Sequence, residues 1–164
     1  MSRPPDSAMR DVYGGSLMPV VGQVDVHVAA GVSLFAGIRW MGSNGRTVVA
    51  GTPIADEEYA TSLKLLSYRF GLLASTRVAS RWSIAGGGGV AITGYEETWP
   101  EAGLAVSDQS TGFVLLGEAR YKVTSRWSAT GRIEYTSVAA KTAVTKSDVN
   151  LGGVDVLGGL RFSF

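Results

Sequence analysis

Alternation with period two runs through most of this 164-residue chain, and it limits the fold to strands with one apolar and one polar face. The clearest stretch sets Val20, Gly22, Val24, Val26 and Val28 against Val21, Gln23, Asp25 and His27. After the turn-forming Ala29, Ala30 and Gly31, the next stretch sets Val32, Leu34, Ala36, Ile38 and Trp40 against Ser33, Phe35, Gly37, Arg39 and Met41. Five more segments repeat the rule: Leu63 to Ala74, Trp82 to Tyr95, Phe113 to Val123, Trp127 to Ser137 and Val154 to Phe164. Seven antiparallel strands are expected, with the adjacent Leu65 and Leu66 suggesting a bulge in the third.

The connections alternate in length. Short turns are expected near Ala29 to Gly31, Thr76 to Arg81 and Thr124 to Arg126, against long polar loops near Asn44 to Glu58, Glu96 to Thr111 and Ala140 to Asp148. Two of the short-turn ends share a sequence, Val78-Ala79-Ser80-Arg81-Trp82-Ser83 and Val123-Thr124-Ser125-Arg126-Trp127-Ser128. A repeating hairpin unit explains both features.

Composition removes several function classes. There is no cysteine and one histidine, His27, which excludes thiolate chemistry, disulfides and any multi-histidine metal site. A net charge of +1 supplies no basic field for nucleic acid. Arg, Asp, Ser or Gly breaks every apolar run well short of the roughly 20 residues of a spanning helix.

The same alternation describes a soluble barrel with its apolar face inward or a membrane barrel with its apolar face outward, and the large residues separate the two. Trp82, Trp127, Phe162 and Phe164 fall at the short-turn end of the apolar face, while Trp40, Tyr95, Phe113 and Tyr135 fall near the long-loop end, Tyr95 with the opposite phase. Two aromatic bands are what a pair of membrane interfaces requires, and Trp40, Trp82, Trp127 and Tyr135 are the expected girdle. The polar face carries Asp25, Arg39, Arg69, Glu118, Arg120, Arg132, Glu134, Asp155 and Arg161. Charges of both signs in a narrow bore must pair, so the expectation is a polar plug in place of an open pore.

The terminal Gly158-Gly159-Leu160-Arg161-Phe162-Ser163-Phe164 resembles the last strand of bacterial outer-membrane barrels, and from roughly Tyr13 to Phe164 the chain is similar to the small eight-stranded barrel domains of that class. The resemblance implies an up-and-down transmembrane β-barrel in the bacterial outer membrane. It also implies that Leu160, Phe162 and Phe164 form a signal read by the barrel assembly machinery, and that outer-membrane lipid surrounds the strands. On this reading residues 1–15 are the remnant of an outer loop and residues 16–164 the barrel domain. Met1 to Arg10 lacks the features of a secretory signal, and seven strands depart from the even number of the family. The expectation is that a signal peptide and a first strand are missing ahead of the chain, with Ser2 to Asp6 read as loop.

Motifs that suggest chemistry have plainer readings. Gly86 to Gly89 sits within a strand and opens no helix, and Gly42 to Thr47 lacks the lysine and spacing of a phosphate loop. His27 with Asp25 and a serine resembles a hydrolytic set, but a hydrogen-bonding histidine in the bore accounts for it. The acidic groups Asp56-Glu57-Glu58, Glu96-Glu97 and Glu101 read as solvated loop charge. No cofactor, metal or catalytic residue is nominated, and nothing names a loop ligand. The expected role is non-enzymatic: envelope structure, adhesion or surface interaction. The alternative is a soluble β-barrel holding a small apolar ligand, which would enclose Val24, Val26, Ile38, Leu72, Ile84 and Ile133 and leave Arg39, Arg132 and Glu134 in water.

Overall fold

The computed structural model describes residues 2–3, 18–48, 58–141, 148–150 and 152–163. In chain order the strands are β1 (Ser2–Arg3), β2 (Val20–Ala29), β3 (Val32–Val48), β4 (Glu58–Arg77), β5 (Trp82–Trp99), β6 (Leu104–Lys122), β7 (Trp127–Ser137), β8 (Ala139–Lys141), β9 (Asp148–Asn150) and β10 (Gly153–Phe162). Strands β2 to β7 and β10 form one up-and-down antiparallel sheet curled into a half-barrel, and β8 and β9 form a separate two-stranded ribbon. The seven expected strands are all present. Residues 4–17, which hold most of the expected outer-loop remnant, lie outside the described residues, as does Phe164.

Short turns close on the pattern set by the repeated sequence. Val78 N and Ala79 N both donate to the Trp82 carbonyl at 3.0 and 3.2 Å, and Val123 N and Thr124 N donate to the Trp127 carbonyl at 2.9 and 3.1 Å. In the second turn Thr124 Oγ1 also accepts from Trp127 N at 3.1 Å, a side-chain cap that fixes where the strand restarts. The first hairpin turns at Gly31, whose φ of +76° is open to glycine at no steric cost.

The long loops are shorter than expected. β5 and β6 pair without a break out to Trp99 and Leu104, joined by a 3-10 turn at Pro100–Ala102. Most of Glu96 to Thr111 is therefore strand, and β3 likewise runs on through Gly42 to Val48. These hairpin ends carry polar residues on both faces, which gives strand there the composition of loop. Leu65 and Leu66 form no bulge: the β4 register is continuous through both, with Leu65 inside and Leu66 outside. The register shift in the sheet falls in β2 between His27 and Ala29.

Ser2–Arg3, expected as loop, pair with β10 in the register Ser2↔Asp155 and Arg3↔Val154. Tight curvature elsewhere is permitted by bore-facing glycines. A Cβ on Gly71 would lie 2.2 Å from the Gly88 carbonyl oxygen, and one on the opposing Gly89 would lie 1.9 Å from that of Phe70. The Gly86–Gly89 run is thus continuous strand that lets β4 and β5 bend against each other.

Candidate functional site

The two faces of the sheet differ in kind. Outward stand Val24, Val26, Ile38, Leu72, Ile84 and Ile133, the last 61% exposed, while Arg39, Glu118, Glu134 and Asp155 are buried on the concave side. This is the reverse of the arrangement a soluble ligand-holding barrel needs, since that fold encloses the first set and solvates Arg39, Arg132 and Glu134.

All nine charged residues expected in the bore meet there, in two groups joined by Arg132, whose Nη1 lies 3.8 Å from Glu134 Oε2. Near the short-turn end, Glu118 accepts from Arg132 Nε at 2.8 Å and pairs with Arg120, while Asp25 pairs with Arg161 and lies 3.7 Å from Arg120 Nη2. Gln23 joins them, donating to Asp25 Oδ1 at 2.6 Å and accepting from Arg132 Nη1 at 2.7 Å. Further along the bore, Arg39 Nη2 meets Asp155 Oδ2 at 2.6 Å and Arg69 pairs with Glu134. Arg69 is 1% exposed and Glu134 fully buried, so neither has water to fall back on.

Glu118 and Arg132 pair between the adjacent strands β6 and β7, whereas the two pairs further along cross the bore. Arg69 on β4 reaches Glu134 on β7, and Arg39 on β3 reaches Asp155 on β10. The remaining space is filled by Phe35, Met41, Leu63, Leu65, Leu73, Val114, Leu116 and Tyr95, a cluster set mainly on β3 to β6. Sequence reasoning missed this apolar filling, although these residues share the phase of the charges. Tyr95, whose phase is opposite to that of Trp40, Phe113 and Tyr135, is one of them. Side chains therefore occupy the bore from both sides.

Outside, the aromatic residues fall in two rows. At the short-turn end Trp82 packs on Tyr121 and Trp127 on Phe162, each with ring centroids 5.0 Å apart. At the other end Phe113 and Tyr135 lie 5.9 Å apart, with Trp40 exposed on β3. Phe113 and Tyr121 on β6, and Trp127 and Tyr135 on β7, lie eight steps apart, about 26 Å along an extended strand. At the roughly 40° tilt of barrel strands this projects to about 20 Å along the axis. Below the first row, Arg81 Nη1 donates to Tyr121 Oη at 3.4 Å, and this contact raises the guanidinium pKa above its ordinary value.

Leu160 and Phe162 both point outward. His27 is exposed, with Nδ1 3.3 Å from Ser33 Oγ on β3, while Asp25 is engaged by Arg161 and Gln23. The three do not form a relay. Glu101 accepts from Ala60 N at 3.3 Å and Thr61 Oγ1 donates to Glu97 at 3.4 Å, so these acids brace the β4 to β6 hairpins; Asp56 and Glu57 lie outside the described residues. No group of three or more metal-ligating side chains occurs among the described residues. Neither a protein-family model nor a curated protein matches this chain.

Proposed function

We propose that this chain is a bacterial outer-membrane β-barrel protein whose bore is plugged and whose role is non-enzymatic, in envelope structure, adhesion or surface interaction. The observation that carries the reading is the pairing of an outward aliphatic belt, bounded by two aromatic rows, with an inward set of ion-paired arginines and carboxylates. In water such a belt would be an apolar patch far beyond the few hundred Å² that monomeric proteins expose, whereas in lipid it is the required surface. Every bore charge named above has an opposite charge within 4 Å, which is how charges persist away from bulk solvent.

Outer-membrane lipid is the main partner on this reading. The exposed Leu160 and Phe162 fit the terminal signal presented to the barrel assembly machinery. Surface recognition falls to the ends of the long hairpins, since rigid scaffolds present contacts at their connections. The experiment is extraction and gel mobility: the folded protein should require detergent and migrate differently before and after boiling. A monodisperse protein in plain buffer, with unchanged mobility, overturns the proposal.

A further inference from the structure

The short-turn end of the sheet is cationic. Arg77, Arg81, Lys122 and Arg126 are all exposed there, and no Asp or Glu occurs within 26–33, 73–84, 119–129 or 156–163, the segments that form that end. The carboxylates closest along the strands, Asp25 and Glu118, lie in the bore and are engaged by Arg161, Arg120 and Arg132. At the other end of the hairpins the balance is reversed, with Glu96, Glu97, Glu101 and Asp108 against Arg46 and Lys64. Like charges gathered at one end draw anions to it.

The repeated turn sequence sets two of these cations in equivalent places. The Arg81 carbonyl accepts from Lys122 N at 2.8 Å, and the Arg126 carbonyl accepts from Ser163 N at 2.9 Å. Each arginine is thereby held at the foot of an aromatic pair, Trp82 with Tyr121 and Trp127 with Phe162. Arg81 directs one of its five N–H donors to Tyr121 Oη, whereas Phe162 has no hydroxyl to offer Arg126. The two turns stand two strand spacings apart, about 10 Å. Tryptophan and tyrosine on the outer face mark the level where acyl chain gives way to headgroup. Each guanidinium therefore stands at phosphate depth, beside rings on which the chains of the same lipid can lie.

We propose that this rim docks anionic phospholipid, the phosphate accepting from Arg81 or Arg126 while the chains pack on the ring pair beside it. Arg77 and Lys122 add attraction without a ring pair of their own. The planar guanidinium fork suits phosphate oxygens. A zwitterionic head would bring its own ammonium to a surface with no carboxylate to receive it, so the rim favours a head of net negative charge. The inference rests on the barrel reading, which supplies the bilayer.

The test folds the full chain into phosphatidylcholine vesicles that contain a minor fraction of acyl-brominated lipid, either phosphatidylglycerol or phosphatidylcholine. Insertion is established first by the change of gel mobility on boiling. At low ionic strength brominated phosphatidylglycerol should quench the tryptophan emission as if enriched about fivefold around the protein. Arg81→Gln combined with Arg126→Gln should bring the quenching down to that of brominated phosphatidylcholine. Lys64→Gln, at the opposite end, should leave the enrichment unchanged, and salt at about 1 M should remove most of it from the unaltered chain. Equal quenching by the two lipids in the inserted chain, as expected if the rim served an acidic polymer in the aqueous phase, overturns the proposal. A preference that survives the double change or the salt, or that Lys64→Gln abolishes as fully as the double change, overturns it too. A chain that does not insert overturns the barrel reading and this inference with it, whereas one that inserts without preference overturns the inference alone.

Discussion

Arg69 and Glu134 form a buried ion pair although two strands, β5 and β6, lie between theirs in the sheet order. The pair exists because the sheet curls far enough for β4 and β7 to face each other, so it reports closure and not local strand pairing. Glu134→Ala should therefore leave a guanidinium unpaired in the bore and cost about 3–5 kcal/mol. The double change Arg69→Met with Glu134→Leu should recover most of that loss. Urea unfolding from lipid vesicles, followed by tryptophan emission, checks both; equal losses in the single and double variants would show that the pair does not carry closure.

A charge on the outer face separates the two orientations of the sheet. Ile133→Arg places a guanidinium in the belt between the Trp127 and Tyr135 rows and should cost about 2 kcal/mol or more in vesicles. On a water-washed surface the same change would fall within about 0.5 kcal/mol. Vesicle and detergent titrations of this one variant give the answer.

Glycine substitutions should divide by position. Gly89→Ala drives a methyl into the Phe70 carbonyl, whereas Gly117 faces open space and should accept alanine with little effect. The expectation is a lower temperature of gel-mobility conversion for Gly89→Ala and none for Gly117→Ala.

The tryptophans provide a readout without mutation. Trp40, Trp82 and Trp127 are each about half exposed on the outer face. Lipids brominated along the acyl chain should quench most of the emission, while aqueous acrylamide should quench little. Strong acrylamide quenching with no bromine effect would place the belt in water.

The sheet's faces were legible because β2, β7 and β10 alternate cleanly, and the nine bore charges could be named from phase alone. Three features were not legible. The upper halves of β5 and β6 carry polar residues on both faces, so a strand there has the composition of a loop. Met41, Leu63, Leu65 and Leu73 fill the bore in the phase of the charges, and an apolar residue on a polar face carries no signal of its own until the curvature is known. Ser2–Arg3 are too few for any period, and only the position of β10 reveals their pairing.

Strands β3 to β6 run 17 to 20 residues, nearly twice what a belt of about ten residues needs. The surplus is paired ribbon beyond the aromatic row at the hairpin end, not slack chain. A molecule meeting that ribbon finds its backbone already ordered, so association there forfeits little conformational freedom, and selectivity depends on the shape of the rim more than on folding around the visitor.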